Sequence, residues 1–197
     1  MRKILPLLLF SASFSYAGVL DVQQQRWATA TIRPEKVHFV QATVAEINRN
    51  KARYTDVERV TGVPWQVVAS IHQMECSGSF RLGLYCGDPL TSRTRNVPRG
   101  RPTWGAPPFG WTETAIDALR LDHLDTEDWS TISRLLQNIE AYNGLGVQRN
   151  HPDMPTAYLW SWTTVYCGGK YVRDGIWSST AWSQQSGVCP FLLFLTK

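Results

Sequence analysis

Charged residues are scarce in this chain of 197. Asp, Glu, Lys and Arg make up 18% of it, and 20 basic against 16 acidic side chains leave a formal charge of +4. Combined with 43% hydrophobic residues, that scarcity excludes an intrinsically disordered chain and a polybasic nucleic-acid arm, and a packed core is expected. Long apolar runs are missing too. The stretch from Ile4 to Phe10 gives way to Ser11, Ser13 and Ser15, well short of the roughly 20 residues that a membrane-spanning helix needs. There is no C-x-x-C or H-E-x-x-H spacing, so no metal ligands are assigned and no cofactor is implied. Internal repeats and low-complexity segments are also lacking, and the length suits one compact domain. Tryptophan, by contrast, is in excess. Nine such bulky rings are hard to bury completely, so some should line a cleft or its mouth, although core packing is the default for any one of them.

Arg2 and Lys3, the short apolar run and the small-x-small string Ser15-Tyr16-Ala17 have the order of a secretory signal peptide. We therefore expect residues 1–17 to be removed, leaving 18–197 as a single secreted or periplasmic domain. No cysteine near the cleavage point supports a lipid anchor, so no membrane anchor is expected after cleavage. Loss of Arg2 and Lys3 leaves +2 on the mature chain, too little to imply nucleic acid as a partner. An exported chain with four cysteines, Cys76, Cys86, Cys167 and Cys189, suggests two disulfides in one of three pairings. Proximity along the chain favours Cys76 with Cys86 and Cys167 with Cys189, the first worth roughly 3 kcal/mol by chain entropy.

Helical periodicity dominates the mature chain. Val37, Val40, Val44 and Ile47 predict a helix over about 35–50 behind Pro34. Thr55-x-x-Glu58 has the capping-box pattern of a short second helix that Gly62 can end. Pro64 opens a third, whose Trp65, Val67, Val68, Ala69, Ile71 and Met74 are apolar on almost every side and mark a buried central helix. From Cys76 to Pro108 the period is lost among Gly, Pro, Ser, Thr and Arg, which predicts a long irregular loop or small hairpin insertion, a kind of segment that is often functional. Further helices are expected from Thr112, from Thr126 to a stop at Gly144, and from Pro155 through Trp162. The fold class is mainly α.

Glu75 stands at the end of the central helix, where buried segment meets polar loop. Desolvation and the negative end of the helix dipole both disfavour its anion, which raises its pKa in the direction that a general acid requires. Around it the string IHQMECSGSF resembles the catalytic helix end of the lysozyme superfamily, the goose-type lysozymes and lytic transglycosylases in particular. CGDPL, FGWTETAIDAL, EAYNGLG and AYLWSWTTVYCGGKYVRDG follow in the order seen in small lysozyme-like bacterial proteins, so the resemblance covers about residues 65–189. It implies a lysozyme-like helical domain, peptidoglycan glycan strands as substrate and Glu75 as the acid. It also implies that Ser77 matches a second Ser of the motif, and that Tyr142 and Asn143 reach the catalytic carboxyl and the sugar N-acetyl group. Cys76 and Cys86 both depart from those relatives, which favours a bridge between them.

Asp88, thirteen positions after Glu75, resembles the second carboxylate of goose-type lysozymes and carries two readings. It is the base that activates water in an inverting hydrolase, with carboxyls about 6.5–9.5 Å apart, or it is a turn residue in Gly87-Asp88-Pro89. Trp104, Trp111, Trp160 and Trp162 are the candidate sugar-stacking rings, with Trp104 and Trp160 preferred; nothing in their spacing selects among them. His72 is expected to be a structural histidine, and Arg93, Arg95, Arg99 and Arg101 could attract the carboxylates of stem peptides. The resulting expectation is an exported glycosidase cutting the β-1,4 bond between N-acetylmuramic acid and N-acetylglucosamine, as a lytic transglycosylase with one catalytic Glu. A hydrolytic muramidase, a chitinase-like enzyme and a catalytically silent glycan-binding module are the alternatives.

Overall fold

The structure, a computed structural model, describes residues 16–196. Among them lie α1 (Tyr16–Thr29), α2 (Val37–Arg49), α3 (Lys51–Thr61), α4 (Trp65–Cys76), α5 (Trp111–Leu121), α6 (Ile132–Asn143), and the short α7 (Gly146–Asn150), α8 (Ala157–Trp160) and α9 (Cys189–Leu195). The strands β1 (Lys170–Arg173) and β2 (Ile176–Ser178) pair antiparallel. The chain is thus mainly α. Of the expected signal segment, residues 1–15 lie outside the described residues, and Tyr16 and Ala17 open α1.

Helix α2 forms where its stripe predicts, with Val40, Val44 and Ile47 buried. Helix α3 starts four residues before its expected cap, and no capping box forms. The Thr55 hydroxyl instead donates to the Lys51 carbonyl one turn back (3.1 Å). Gly62 does end the helix, at φ +74, where its N–H bonds the Glu58 carbonyl (2.7 Å) and a side chain would be strained. Pro64 is the residue before the first turn of α4 rather than within it. Helix α6 begins later than the pattern from Thr126 suggests, because the Thr131 side chain accepts from Arg134 N–H and caps it there (3.3 Å). Residues 127–131 stay outside the helix, and Trp129 donates its indole N–H to the Leu124 carbonyl (3.1 Å).

Helix α4 is central. Val67, Val68, Ala69 and Ile71 are fully buried, and α3, α6 and α9 pack around it. Burying one such aliphatic side chain stabilises the fold by about 1.5–3 kcal/mol before entropy is counted. Helix α1 lies along α6, α5 along α3, and α8 bridges α6 and α9.

Segment 77–110 is irregular as expected, but its hairpin reduces to a single Leu82–Pro89 bridge; the true hairpin is β1–β2, across Asp174-Gly175. The loop is anchored inward by Leu84, Leu90 and Phe109. It is anchored outward on α5 by Asp117, which receives Arg101 (2.7 and 2.8 Å) and the Tyr85 hydroxyl. That bond uses Arg101, and Arg93 is likewise committed to the Gly105 carbonyl (2.7 Å), so two of the four loop arginines already have partners.

Neither expected disulfide is formed in the structure, where Cys76, Cys86, Cys167 and Cys189 stand as free cysteines. Cys76 Sγ is directed at the Gly83 carbonyl (3.4 Å), and the Cys86 thiol bonds the Asp88 carboxylate. Cys189 is fully buried in the first turn of α9, whereas Cys167 is at the surface. Burial pushes the Cys76 thiol up to about 12, so it stays protonated and unreactive.

Candidate active site

Glu75 is half-buried in the last turn of α4. The chain then reverses at Ser77, which adopts a left-handed conformation (φ +49) as the helix cap, with its N–H on the Gln73 carbonyl (3.1 Å). A tight turn of the loop folds back over this helix end. Gly83 N–H bonds the Asp88 carbonyl (2.8 Å), Gly87 N–H bonds the Gly83 carbonyl (2.9 Å), and a Cβ on Gly87 would come within 3.0 Å of the Glu75 carbonyl. Gly87 also sits at φ +72, so both its conformation and its close approach require glycine.

The Glu75 carboxyl has one direct partner among the described residues. Tyr158, on α8, donates its hydroxyl to Oε1 at 2.9 Å. Burial raises the Glu75 pKa; the Tyr158 hydrogen bond opposes that rise and the nearby Asp122 carboxylate adds to it. Asp122 caps the C-terminus of α5, and its own carboxyl is raised, chiefly by desolvation. The pair is therefore an acid held toward its protonated form beside a second carboxyl.

Tyr142 and Asn143 form the end of α6. Burial, and after it the nearby Glu75 charge, keeps the Tyr142 phenol far above its ordinary value. Its hydroxyl, expected on the catalytic carboxyl, instead donates to the Leu84 carbonyl (3.2 Å), tying α6 to the loop. Asn143 is exposed, with no hydrogen-bond partner for its side chain among the described residues.

Asp88 is built into the loop. Its Oδ2 accepts from the Arg95 and Asn96 N–H groups (2.6 and 2.9 Å), and its Oδ1 accepts from the Asn96 amide (2.8 Å). Those bonds hold its pKa below the usual carboxylate range and leave little lone-pair capacity for a water. The turn-residue reading fits this arrangement better than the base reading.

Trp160 requires a correction. It is fully buried in the main core and cannot stack on a ligand. Trp104 is 41% exposed, its ring edge-on to Phe109 (5.9 Å), beside Val60, Glu113 and Ile116 at the α3–α5 surface. His72 is fully buried in a cage of Tyr54, Phe80 and Trp111, with the Tyr54 hydroxyl 3.0 Å from Nδ1, and burial lowers it to about 4. It is a neutral structural histidine.

Sequence reasoning missed two residues at this site, Tyr158 and Asp122. Tyr158 falls inside a motif that resembles the relatives, which was its one signal; Asp122 had none. No group of three or more His, Cys, Asp and Glu among the described residues is arranged to hold a metal ion. No protein-family model matches the chain, and neither a curated protein nor a solved structure matches it.

Proposed function

We propose that this protein is an exported glycosidase with a lysozyme-like fold that cuts the β-1,4 bond between N-acetylmuramic acid and N-acetylglucosamine in peptidoglycan. The observation that carries this reading is the half-buried Glu75 carboxyl, biased toward its protonated form and held in one orientation by the Tyr158 hydroxyl. The resemblance of the IHQMECSGSF and EAYNGLG strings supplies the substrate class. In this reading Glu75 gives its proton to the glycosidic oxygen as the C1–O bond breaks. As in a lytic transglycosylase, the carboxylate so formed then takes the proton of the muramic 6-hydroxyl, whose oxygen closes on C1 to give a 1,6-anhydro end. Asp88, committed to the loop, has no part in the chemistry.

One observation favours a hydrolytic variant. Asp122, the carboxyl that perturbs Glu75, could accept the proton of an attacking water, which would leave reducing ends instead. Mass spectrometry of the soluble products from purified peptidoglycan separates the two, since they differ by one water. Glu75→Gln, which removes the proton at nearly constant shape, is expected to lower the rate by about 10² to 10⁴. Wild-type cleavage by a folded Glu75→Gln variant would overturn the proposal.

A further inference from the structure

Trp162 stands between two depressions beside the first turns of α2. On one side a groove of about 500 Å³ opens between α2, the α4 cap and segment 184–186; on the other a crevice of about 230 Å³ is lined by the turn that leads into α2. Rings stand out of this face. Phe39 is 56% exposed, although α2 buries Val40, Val44 and Ile47, and Trp182 is 47% exposed. Trp162 is tilted against Phe39, with centroids 6.2 Å apart, and has φ +71, a region a bulky residue rarely adopts. It is held there by its indole N–H on the Gln184 carbonyl (3.2 Å) and by its own carbonyl, which accepts from Arg33 N–H (3.0 Å).

A cation lies against each of the three rings. Lys36 Nζ is 4.9 Å from the Trp162 centroid and 6.0 Å from that of Phe39, and the Arg33 guanidinium is 5.0 Å from that of Trp182. Arg33 gives one N–H to the Tyr166 carbonyl (2.8 Å), and neither cation belongs to an ion pair among the described residues. Glu35, exposed, is the one carboxylate lining the two depressions, and the exposed His38 sets its ring edge-on to Phe39 (6.0 Å). The face thus joins positive charge that no carboxylate neutralises to large apolar rings.

That combination selects the class of partner. A ring face covered by a cation is closed to a stacking base, which disfavours nucleic acid. The ring edges stay free, and the two cations beside them call for anions. Aromatic rings at the headgroup level with Lys and Arg against lipid phosphates are how a peripheral protein rests on a bilayer. We propose that the face around Phe39, Trp162 and Trp182 docks on a membrane surface rich in anionic phospholipid, with Arg33 and Lys36 meeting the phosphates. The contact is independent of the glycosidase reading, since it uses none of Glu75, Tyr158 and Asp122.

The test is sedimentation of the full chain with vesicles, one set of phosphatidylcholine alone and one of equal parts phosphatidylcholine and phosphatidylglycerol. The chain is expected to pellet with the mixed vesicles, to stay in solution with the neutral ones, and to be released by salt. Lys36→Gln is expected to weaken binding about fivefold, the worth of one surface cation. Phe39→Ser, at an exposed ring, should weaken it by a similar factor with an unchanged circular dichroism spectrum. Arg95→Gln with Arg99→Gln removes two exposed charges from the loop and should cost less than Lys36→Gln alone. Equal pelleting with neutral vesicles, no pelleting at all, an unweakened Lys36→Gln variant, or a larger loss in the loop variant would each overturn the proposal. Binding of soluble polyphosphate through Lys36 without pelleting would also overturn it, leaving an anion site in place of a membrane face.

Discussion

A hydroxyl that donates to a carboxylate stabilises the anion, so Tyr158 does two opposed things to Glu75. It fixes the rotamer that an acid needs, and it lowers a pKa that burial has raised. Tyr158→Phe removes only the hydroxyl. The Glu75 pKa should then rise further, and the alkaline limb of the kcat/KM profile should move to higher pH while the rate on the plateau falls through loss of orientation. An alkaline limb that stays in place in the variant would show that Glu75 is not the group titrating in that limb. At this scale the sequence was informative about Glu75, because a carboxylate at the end of an all-round apolar helix is a local pattern. It was silent about Tyr158, which reaches Glu75 from 83 positions away. Tryptophans carried no such pattern: Trp160 and Trp104 look alike in composition, and only tertiary packing sends one into the core and leaves the other at the surface. Asp88 was legible as a turn residue, but its two loop N–H partners depend on how residues 88–96 close on themselves.

Among the elements, α1 and α6 share a buried polar contact that the catalytic reading does not use. Gln23 donates its amide to Glu140 Oε2 (2.8 Å), and both residues are almost wholly buried, at 1% and 2% exposure. Burial raises the Glu140 pKa, with Gln23, Thr156 and Arg26 pulling it back. A carboxyl raised in the folded state holds its proton where the unfolded chain has lost it. Its stabilising effect is therefore complete below the ordinary glutamate value and fades as pH climbs through the raised one. Glu140→Gln has no proton to lose at that position, so between pH 5 and pH 8 the urea midpoint of the variant should gain on that of the wild type, the fall from Glu75 and the opposing rise from His72 below about 6.5 being common to both proteins. An equal change in both proteins would place the titration elsewhere. The α1–α6 contact also marks a limit of periodicity. Helix α1 falls where the chain reads as a signal segment and its continuation, with no clear apolar stripe, and its place on α6 depends on a polar pair 117 positions apart. Helices α2 and α5 were legible because one face of each is apolar at helical spacing, and α4 because it is apolar on almost every side. The start of α3 and the β1–β2 hairpin were not, since Thr55 is as competent to bond back within a helix as to cap one, and β1–β2 has too few residues for an alternation to show.

For the molecule as a whole, the place where α3, α4, the loop and α5 meet is the cage around His72. Tyr54 comes from α3, Phe80 from the loop and Trp111 from α5, with the Phe80 and Trp111 rings 4.7 Å from the imidazole. The sequence marked His72 as structural without showing what it joins, because its neighbours are brought together only by the packing of those four segments. Burial lowers its pKa from 6.5 to about 4, the Ser79 backbone acting weakly against that shift. A base whose folded pKa is depressed gives the opposite sign to Glu75 and Glu140. The unfolded chain binds the proton first, so stability is lost as pH falls from about 6.5 toward 4. Over the full window that loss amounts to about 3 kcal/mol, large against the total stability of a domain. His72→Phe keeps a ring of similar size in the cage and costs about 1 kcal/mol at neutral pH through the lost Tyr54 bond. That cost does not vary with pH in this range, because burial holds the Tyr54 phenol far above it. The two unfolding free energies, measured in urea at pH 7, 5 and 4, should therefore converge and then cross, with the variant the more stable at pH 4. Parallel curves would mean that the imidazole is not buried in neutral form, and that the junction of helices and loop holding Glu75 against the loop turn is more open than this packing describes.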